Sequence, residues 1–298
     1  MRVGVLPSVV VRVGFLTHLL WERYGPFWTS LAQAGGAEVV HPEVEAVVAR
    51  LADPRVAAAP AIAFRVAIAS ALALEEVDLL VVPRLNPAAG DRGGRGAGQD
   101  PWVAELPTML ERSVPGLPPI WSVEADLGRP LESNAVTFLR RLTTDVGVVR
   151  RAWSQHRAAA HPPRRGTAAP MAAPPGTPTV ALVGEPWWMT PAVAALATRP
   201  GERLSAPYDL DPAALRDEGR RLDAALVDSD AEALGAIRLY ARSAAIARLR
   251  LVVDAAADSD AWLVRRARVL VPRRLEVVDV RDLGGPEQLL QALLRPRA

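Results

Sequence analysis

The run Val77-Asp78-Leu79-Leu80-Val81-Val82-Pro83 is unbroken in aliphatic side chains from Leu79 to Val82. A strand without polar alternation has both faces buried, which is the condition of a central strand in a parallel sheet covered by helices. The pattern around it agrees. A helix is predicted over 61–74 before it and another over 101–112 after it, with further strands over 11–16, 38–41 and 120–123. A helix over 18–34, stopped by Gly35-Gly36, and a long one over 133–156 complete this half.

Between 158 and 178 the periodicity stops in a Pro- and Ala-rich stretch that includes Pro162-Pro163 and Pro174-Pro175. Proline at this density removes amide donors and fixes φ, so neither helix nor central strand forms. Alternation then restarts, with strands predicted over 179–184, 224–228, 249–254 and 275–280. Helices are predicted over 191–197, 213–221, 231–247, 261–269 and 287–294. The expected architecture is α/β: two Rossmann/flavodoxin-like lobes, each a parallel sheet flanked by helices. Their bounds are 1–157 and 179–298, with 158–178 as linker. In such folds ligands sit beyond the carboxyl ends of the strands, and two lobes place that site between them.

Composition excludes more than it assigns. The 298 residues are 50% hydrophobic and carry 35 basic against 33 acidic side chains, a formal charge of +2, which argues against nucleic acid as a partner for the chain as a whole. Every basic residue is Arg, so lysine Schiff bases and the lysine of a phosphate loop are excluded. Cysteine is absent, which removes disulfides, thiolate nucleophiles and cysteine-held metals. His18, His41, His156 and His161 do not fall at metal-ligand spacing, so no metal is expected. The apolar stretch 56–74 contains Pro60 and Arg65 and is mostly Ala, a buried helix rather than a membrane span. The opening residues, broken by Pro7 and Arg12, read as strands rather than a secretory leader, and the expected location is the cytoplasm.

Several segments carry a likeness to a known family. Arg12-Val13-Gly14-Phe15-Leu16-Thr17-His18, followed by Tyr24-Gly25-Pro26-Phe27-Trp28, resembles the opening strand and helix of 2-hydroxyacyl-CoA dehydratases and their activase-associated relatives. Those proteins run from a strand ending Ile-Pro-Arg through a tyrosine-rich turn to Pro and Trp. Ala58-Ala59-Pro60 falls where the family has Cys-aromatic-Pro, and 77–85 resembles its Val-Asp-aliphatic-Pro-Arg strand. Asp100-Pro101-Trp102 falls where it has Cys-Pro, and Gly184-Glu185-Pro186-Trp187 where it has Gly-His-Pro-Tyr. The likeness spans both halves through short motifs. It implies a scaffold that holds an iron–sulfur cluster and reduces an acyl-CoA thioester, yet the cluster-ligand positions are here Ala58 and Asp100. Methyl and carboxylate groups do not replace thiolates. The expectation is a pseudoenzyme or binding protein without the cluster and with no cofactor.

Candidate site residues follow from position. The loop over 86–100, Gly-rich with Arg92 and Arg95, sits where backbone amides could cradle a phosphate, although a surface excursion is the plainer reading. Asn86 opens it, and Arg84 precedes it as a cation for an acyl-CoA or phosphorylated ligand, or as one half of a salt bridge. Tyr24, Trp28, Trp187 and Trp188 would form an aromatic wall, with Trp28 also readable as core. Adjacent Trp187 and Trp188 cannot share one core, so one of them should face the cleft or a partner. Glu185, Asp100 and His18 are acid–base candidates for non-redox chemistry, with a solvated carboxylate the plainer reading of Glu185. Arg150, Arg151, Arg157, Arg164 and Arg165, in an acid-free interval over 146–184, read as a basic linker. A homo-oligomer, or a scaffold subunit beside a cysteine-bearing relative, is the remaining alternative.

Overall fold

A computed structural model describes residues 10–86, 100–127, 131–161, 178–284 and 286–294. The first half contains β1 (Arg12–Phe15), α1 (Trp21–Ala34), β2 (Glu38–Val40), α2 (Val44–Arg50), α3 (Pro54–Ala57) and α4 (Ile62–Ala73). It continues with β3 (Leu79–Arg84), α5 (Pro101–Ala104), α6 (Leu106–Ser113), β4 (Ile120–Glu124), α7 (Glu132–Leu142) and α8 (Val146–His156). The second contains β5 (Thr179–Gly184), a 3-10 turn (Pro186–Trp188), α9 (Pro191–Ala197), β6 (Arg203–Ser205), α10 (Pro212–Arg220) and α11 (Asp228–Ala241). It ends with β7 (Arg248–Val253), α12 (Asp258–Leu270), β8 (Leu275–Asp279) and α13 (Pro286–Leu294). The sheets are parallel, in the orders β2-β1-β3-β4 and β6-β5-β7-β8, so the two lobes share one topology.

The central run behaves as its composition requires. Leu79 to Pro83 are all buried, Leu79 and Val81 packing on the α1, α7 and α8 side and Leu80 and Val82 on the α4 and α6 side. That second core does not stop at the lobe boundary. It continues through Trp102 and Trp187 to Leu182 and Val252 of the second sheet and to α9 and α13. Phe64 stacks on Trp102 with ring centroids 5.8 Å apart, and Trp102 meets Trp187 edge-on at 5.3 Å.

Several expected boundaries are corrected. The predicted helix over 133–156 is two helices, because Asp145 turns out of α7 and caps α8 by accepting from Gly147 and Val148 amides at 2.7 and 3.2 Å. The helix over 101–112 breaks at Glu105, where Pro107 opens α6. The helix expected from 18 begins at Trp21, since Leu19 and Leu20 take φ of 59° and 70°. No strand forms over 224–228. Gly219 and Gly235 let the α10 and α11 backbones meet where any side chain would collide, and the apolar residues between these helices form a tight connection. The fourth strand of that sheet is instead β6, at one edge beside β5, whose Arg-Leu-Ser carries no apolar run.

The lobes face each other with the carboxyl ends of their strands, and there they exchange helix caps. The first four amides of a helix need outside acceptors. The N-cap positions of α4, α11 and α12 are Ala61, Val227 and Ala257, none with a capping side chain. In each case the opposite lobe supplies the acceptor. Asn86 Oδ1 accepts from Ser229 N–H at 3.0 Å, and its Nδ2 donates to Ser229 Oγ at 3.2 Å. Asp100 accepts from Asp258 N–H at 3.4 Å, and from Ser259 N–H and Oγ–H at 3.2 and 2.8 Å. In return, Asp254 accepts from Ile62 N–H at 2.6 Å. Asn86→Ala should therefore lower global stability in urea unfolding by about 1–2 kcal/mol, the cost of a lost cap, through a site in the other lobe. An unchanged unfolding midpoint would show that the contact carries no weight.

Candidate functional site

The cap exchange closes a buried seam, and a cleft opens beside it. The cleft has a volume of about 380 Å³ and lies at the carboxyl ends of β1 and β5. Its lining comes from the segment 17–23, from Pro186 and Trp187, from the α9 start at Met189 to Ala192, and from Tyr208, Leu210 and Leu293. These are the topological switch points of the two sheets, where the chain leaves β1 and β5 for one side and later returns to pair on the other. Part of the wall is strained: Leu19 and Leu20 hold left-handed backbone, which costs a residue with a β-carbon about 1–3 kcal/mol and is kept only where surrounding packing enforces it. Trp21, edge-on to Phe15 at 5.8 Å, supplies that packing at the start of α1.

The candidate residues divide between cleft, seam and core. His18 lines the cleft, is 4% exposed, and has neither ring nitrogen in a hydrogen bond of full geometry. Burial lowers its pKa to about 4, against a weaker opposing pull from the Ala63 carbonyl, so the ring is neutral at pH 7. Trp187 lines the cleft and Trp188 donates Nε1–H to Asp260 at 3.4 Å, yet the two do share one apolar core, against the expectation from their adjacency, because the 3-10 turn at Pro186–Trp188 is itself buried between the lobes. Both are buried, so neither offers a surface to a partner chain. The expected aromatic wall loses Tyr24 and Trp28, both fully buried. Tyr24 donates its hydroxyl to the Leu16 carbonyl at 2.9 Å, and Trp28 packs edge-on to Phe138. Trp21 and Tyr208 line the cleft instead, residues the reading of the sequence passed over.

Arg84 makes the salt bridge, at 3.3 Å to Glu124, its register partner on β4. Asn86 and Asp100 are cap residues, as above. Arg92, Arg95 and most of the Gly-rich loop lie outside the described residues, as do Arg164, Arg165 and most of the linker. Asp100 and Glu185 do not join His18 in the cleft wall. Of the two positions that the resemblance assigns to cluster ligands, Ala58 is exposed and has no donor atom, and Asp100 has both oxygens committed to α12. The segment after Ala58 does reach the second lobe, where Arg281 donates to the Pro60 carbonyl at 3.0 Å. A thiolate-held cluster does not fit this donor set, and among the described residues no group of three or more His, Asp or Glu is arranged to hold a metal ion.

Glu185 is the main correction in the seam. It is not a solvated turn carboxylate but wholly buried at the end of β5, with both oxygens lacking hydrogen-bond partners. Burial pushes its pKa well above the usual carboxylate range, and Asp230, Asp260, Glu232 and Asp100 push it the same way. It is therefore an uncharged acid. Asp260, buried but accepting from the Asp254 amide at 2.5 Å and from Trp188, is raised to about 7. The available signal was the repeated Asp-Ser-Asp-Ala at 228–231 and 258–261, two acidic helix starts without caps of their own. Nearby, Arg23 and Asp126 of the first lobe meet Arg216 and Glu232 of the second. Arg23 bonds Glu232 at 3.0 Å and lies 3.6 Å from Asp126, while Arg216 pairs with Asp126 directly and lies 3.6 Å from Glu232. Two cations and two anions balance across the boundary.

These protonation states give stability a pH dependence of known sign. Glu185 and Asp260 keep protons that the unfolded chain releases near pH 4, so stability falls as pH rises toward their folded pKa values. His18 acts oppositely, costing stability as pH drops from 6.5 toward 4. Above pH 6.5 the histidine contribution is spent, and the acids dominate at about 1.4 kcal/mol per pH unit for each proton. Urea midpoints between pH 6.5 and 8 should fall in the native protein and fall less in Glu185→Gln. Equal slopes would contradict an uncharged Glu185.

In comparisons with known proteins, no family model, no curated protein and no solved structure matches the chain.

Proposed function

We propose that the chain is a non-redox binding protein that takes a small molecule in the cleft between its lobes, on a framework related to that of the 2-hydroxyacyl-CoA dehydratases and without their cluster. The observation that carries this reading is the cleft itself. It is large enough for a small ligand, sits at both switch points at once, and has a wall that includes strained backbone and a buried histidine. Binding is favoured over acid–base catalysis because only His18 of the three acid–base candidates lines the cleft, and Asp100 is occupied as a helix cap. A role as a scaffold for another chain has less support. Among the described residues, the exposed large apolar ones are Val10, ahead of β1, and Val48, Val146, Val269 and Val277 on four different elements, and the paired tryptophans are buried.

The related framework is favoured by where its motif positions fall. The segment after Ala58 and residue Asp100 both reach the second lobe, and the turn at 184–187 joins seam to cleft. With no cysteine in the chain, iron and sulfide supplied anaerobically should produce no charge-transfer absorption, and such a band would overturn the redox-free reading. A thermal-shift screen of small metabolites should find compounds that raise Tm in the native protein by mass action. The same compounds should have no effect on Ala192→Trp, whose indole would fill the cleft. Shifts that persist in that variant would place binding elsewhere.

A further inference from the structure

In the second lobe almost every described arginine has a partner, from Arg199 on Glu276 to Arg281 on Asp254. The exceptions stand together. Arg265, Arg266 and Arg268 of α12 and Arg273 just after it are exposed, and they make no ion pair and no side-chain hydrogen bond with the described residues. The stretch 261–275 that holds them contains no acidic residue. Trp262, Arg265, Arg266 and Val269 recur at spacings of three and four, so they share one face of α12, opposite the buried Leu263 and Ala267. Val269 is 81% exposed, the most exposed large apolar side chain among the described residues, and the Arg266 guanidinium lies over the half-buried Trp262 ring at 5.9 Å. Asp258, the exposed acid of this helix, is two turns away from Arg265.

Unpaired cations around an exposed aliphatic group and an indole match a surface that is negative outside and hydrocarbon beneath. Headgroup phosphates take the guanidinium groups, whose stems lie along apolar surface, while Val269 and the Trp262 edge meet the acyl boundary. We propose that the outer face of α12 docks on an anionic lipid bilayer, held by Arg265, Arg266, Arg268 and Arg273 with Val269 at the apolar boundary. The contact is peripheral, since no described helix is long and apolar enough to cross a membrane. It is also independent of the cleft, whose lining includes none of these residues. A second copy of the chain fits this face less well. Carboxylates without an ion pair, such as Glu43, Glu45, Glu111 and Glu132, are spread around α2, α6 and α7 and form no single counterpart among the described residues. Nucleic acid fits less well too, because base stacking needs an open aromatic face and Trp262 lies under Arg266. The nearest rival is α8, where Val146, Arg150, Trp153 and Arg157 have similar spacing and Val146 is 66% exposed, but there the valine directly follows the carboxylate of Asp145.

The test is co-sedimentation of the full chain with vesicles of equimolar phosphatidylglycerol and phosphatidylcholine. Each arginine at an anionic surface contributes about fivefold in affinity, and four give half-saturation at about 1 mM lipid in about 0.1 M salt. Binding should be absent on phosphatidylcholine alone and lost in about 0.5 M salt. Arg265→Ala combined with Arg268→Ala should weaken it about 25-fold, and Val269→Asp by about fivefold or more. Val269→Phe should strengthen it, an increase that a purely electrostatic contact would not show. Urea midpoints should stay unchanged, because every replaced side chain is exposed. Equal binding to phosphatidylcholine, or no sedimentation at about 10 mM lipid, would overturn the lipid surface. Binding lost in Arg150→Ala with Arg157→Ala, but kept in the α12 double variant, would move the contact to α8 and overturn the assignment to α12. Tighter binding to a DNA oligonucleotide than to vesicles, weakened by the α12 variant, would overturn lipid as the partner.

Discussion

Three helices in this protein start on residues that cannot cap them, Ala61, Val227 and Ala257, and each start is satisfied by a side chain from the opposite lobe. The amides at a helix start are strong donors, and burying them unpaired is costly. The caps therefore set how the lobes meet: strand ends against strand ends, close enough that one apolar core runs through both. Thr17, donating to the last described carbonyl of α13, adds a fourth contact of the same kind at the other helix pole.

A seam held this way is buried, and its chemistry follows. Burial raises the pKa of Glu185 well above the usual carboxylate range and that of Asp260 to about 7, whereas Arg23, facing Glu232 and Asp126, is held in its charged form. The cleft lies just outside this region and shares Trp187 and Arg23 with it. The buried Glu185 of the seam and Trp187 of the cleft wall belong to one turn, Glu185-Pro186-Trp187.

What could be read from the chain and what could not differ in range. Elements with strong local signals were readable: Leu79 to Val82 as a doubly buried strand, 179–184 as its counterpart, and the Ala-rich α4 as a buried helix rather than a membrane span. Asp145 is a local cap within a strongly helical pattern, so its break was overrun. The strand expected at 224–228 failed because the α10–α11 crossing at Gly219 and Gly235 is a tertiary fact that apolar content cannot reveal. In the site, residue identity was visible but partnership was not. Asp100 and Asn86 were singled out as ligand-binding candidates, and they are instead acceptors for helices more than a hundred residues away. Glu185 follows a strand and precedes a proline, as a solvated turn would, and it is buried among residues distant in the chain, Asp230, Glu232 and Asp260 of its own lobe and Asp100 of the other.

The reciprocal caps can be tested at two amides. Ser229 and Ser259 occupy the second positions of α11 and α12, where an amide without a side-chain acceptor exchanges quickly by local fraying. Amide hydrogen exchange on the intact chain should find both protected to the level of the slowest core strands, since the cap opens only when the lobes separate. Rapid exchange at Ser229 and Ser259 beside a protected core would show that the lobes are not fastened through their helix starts.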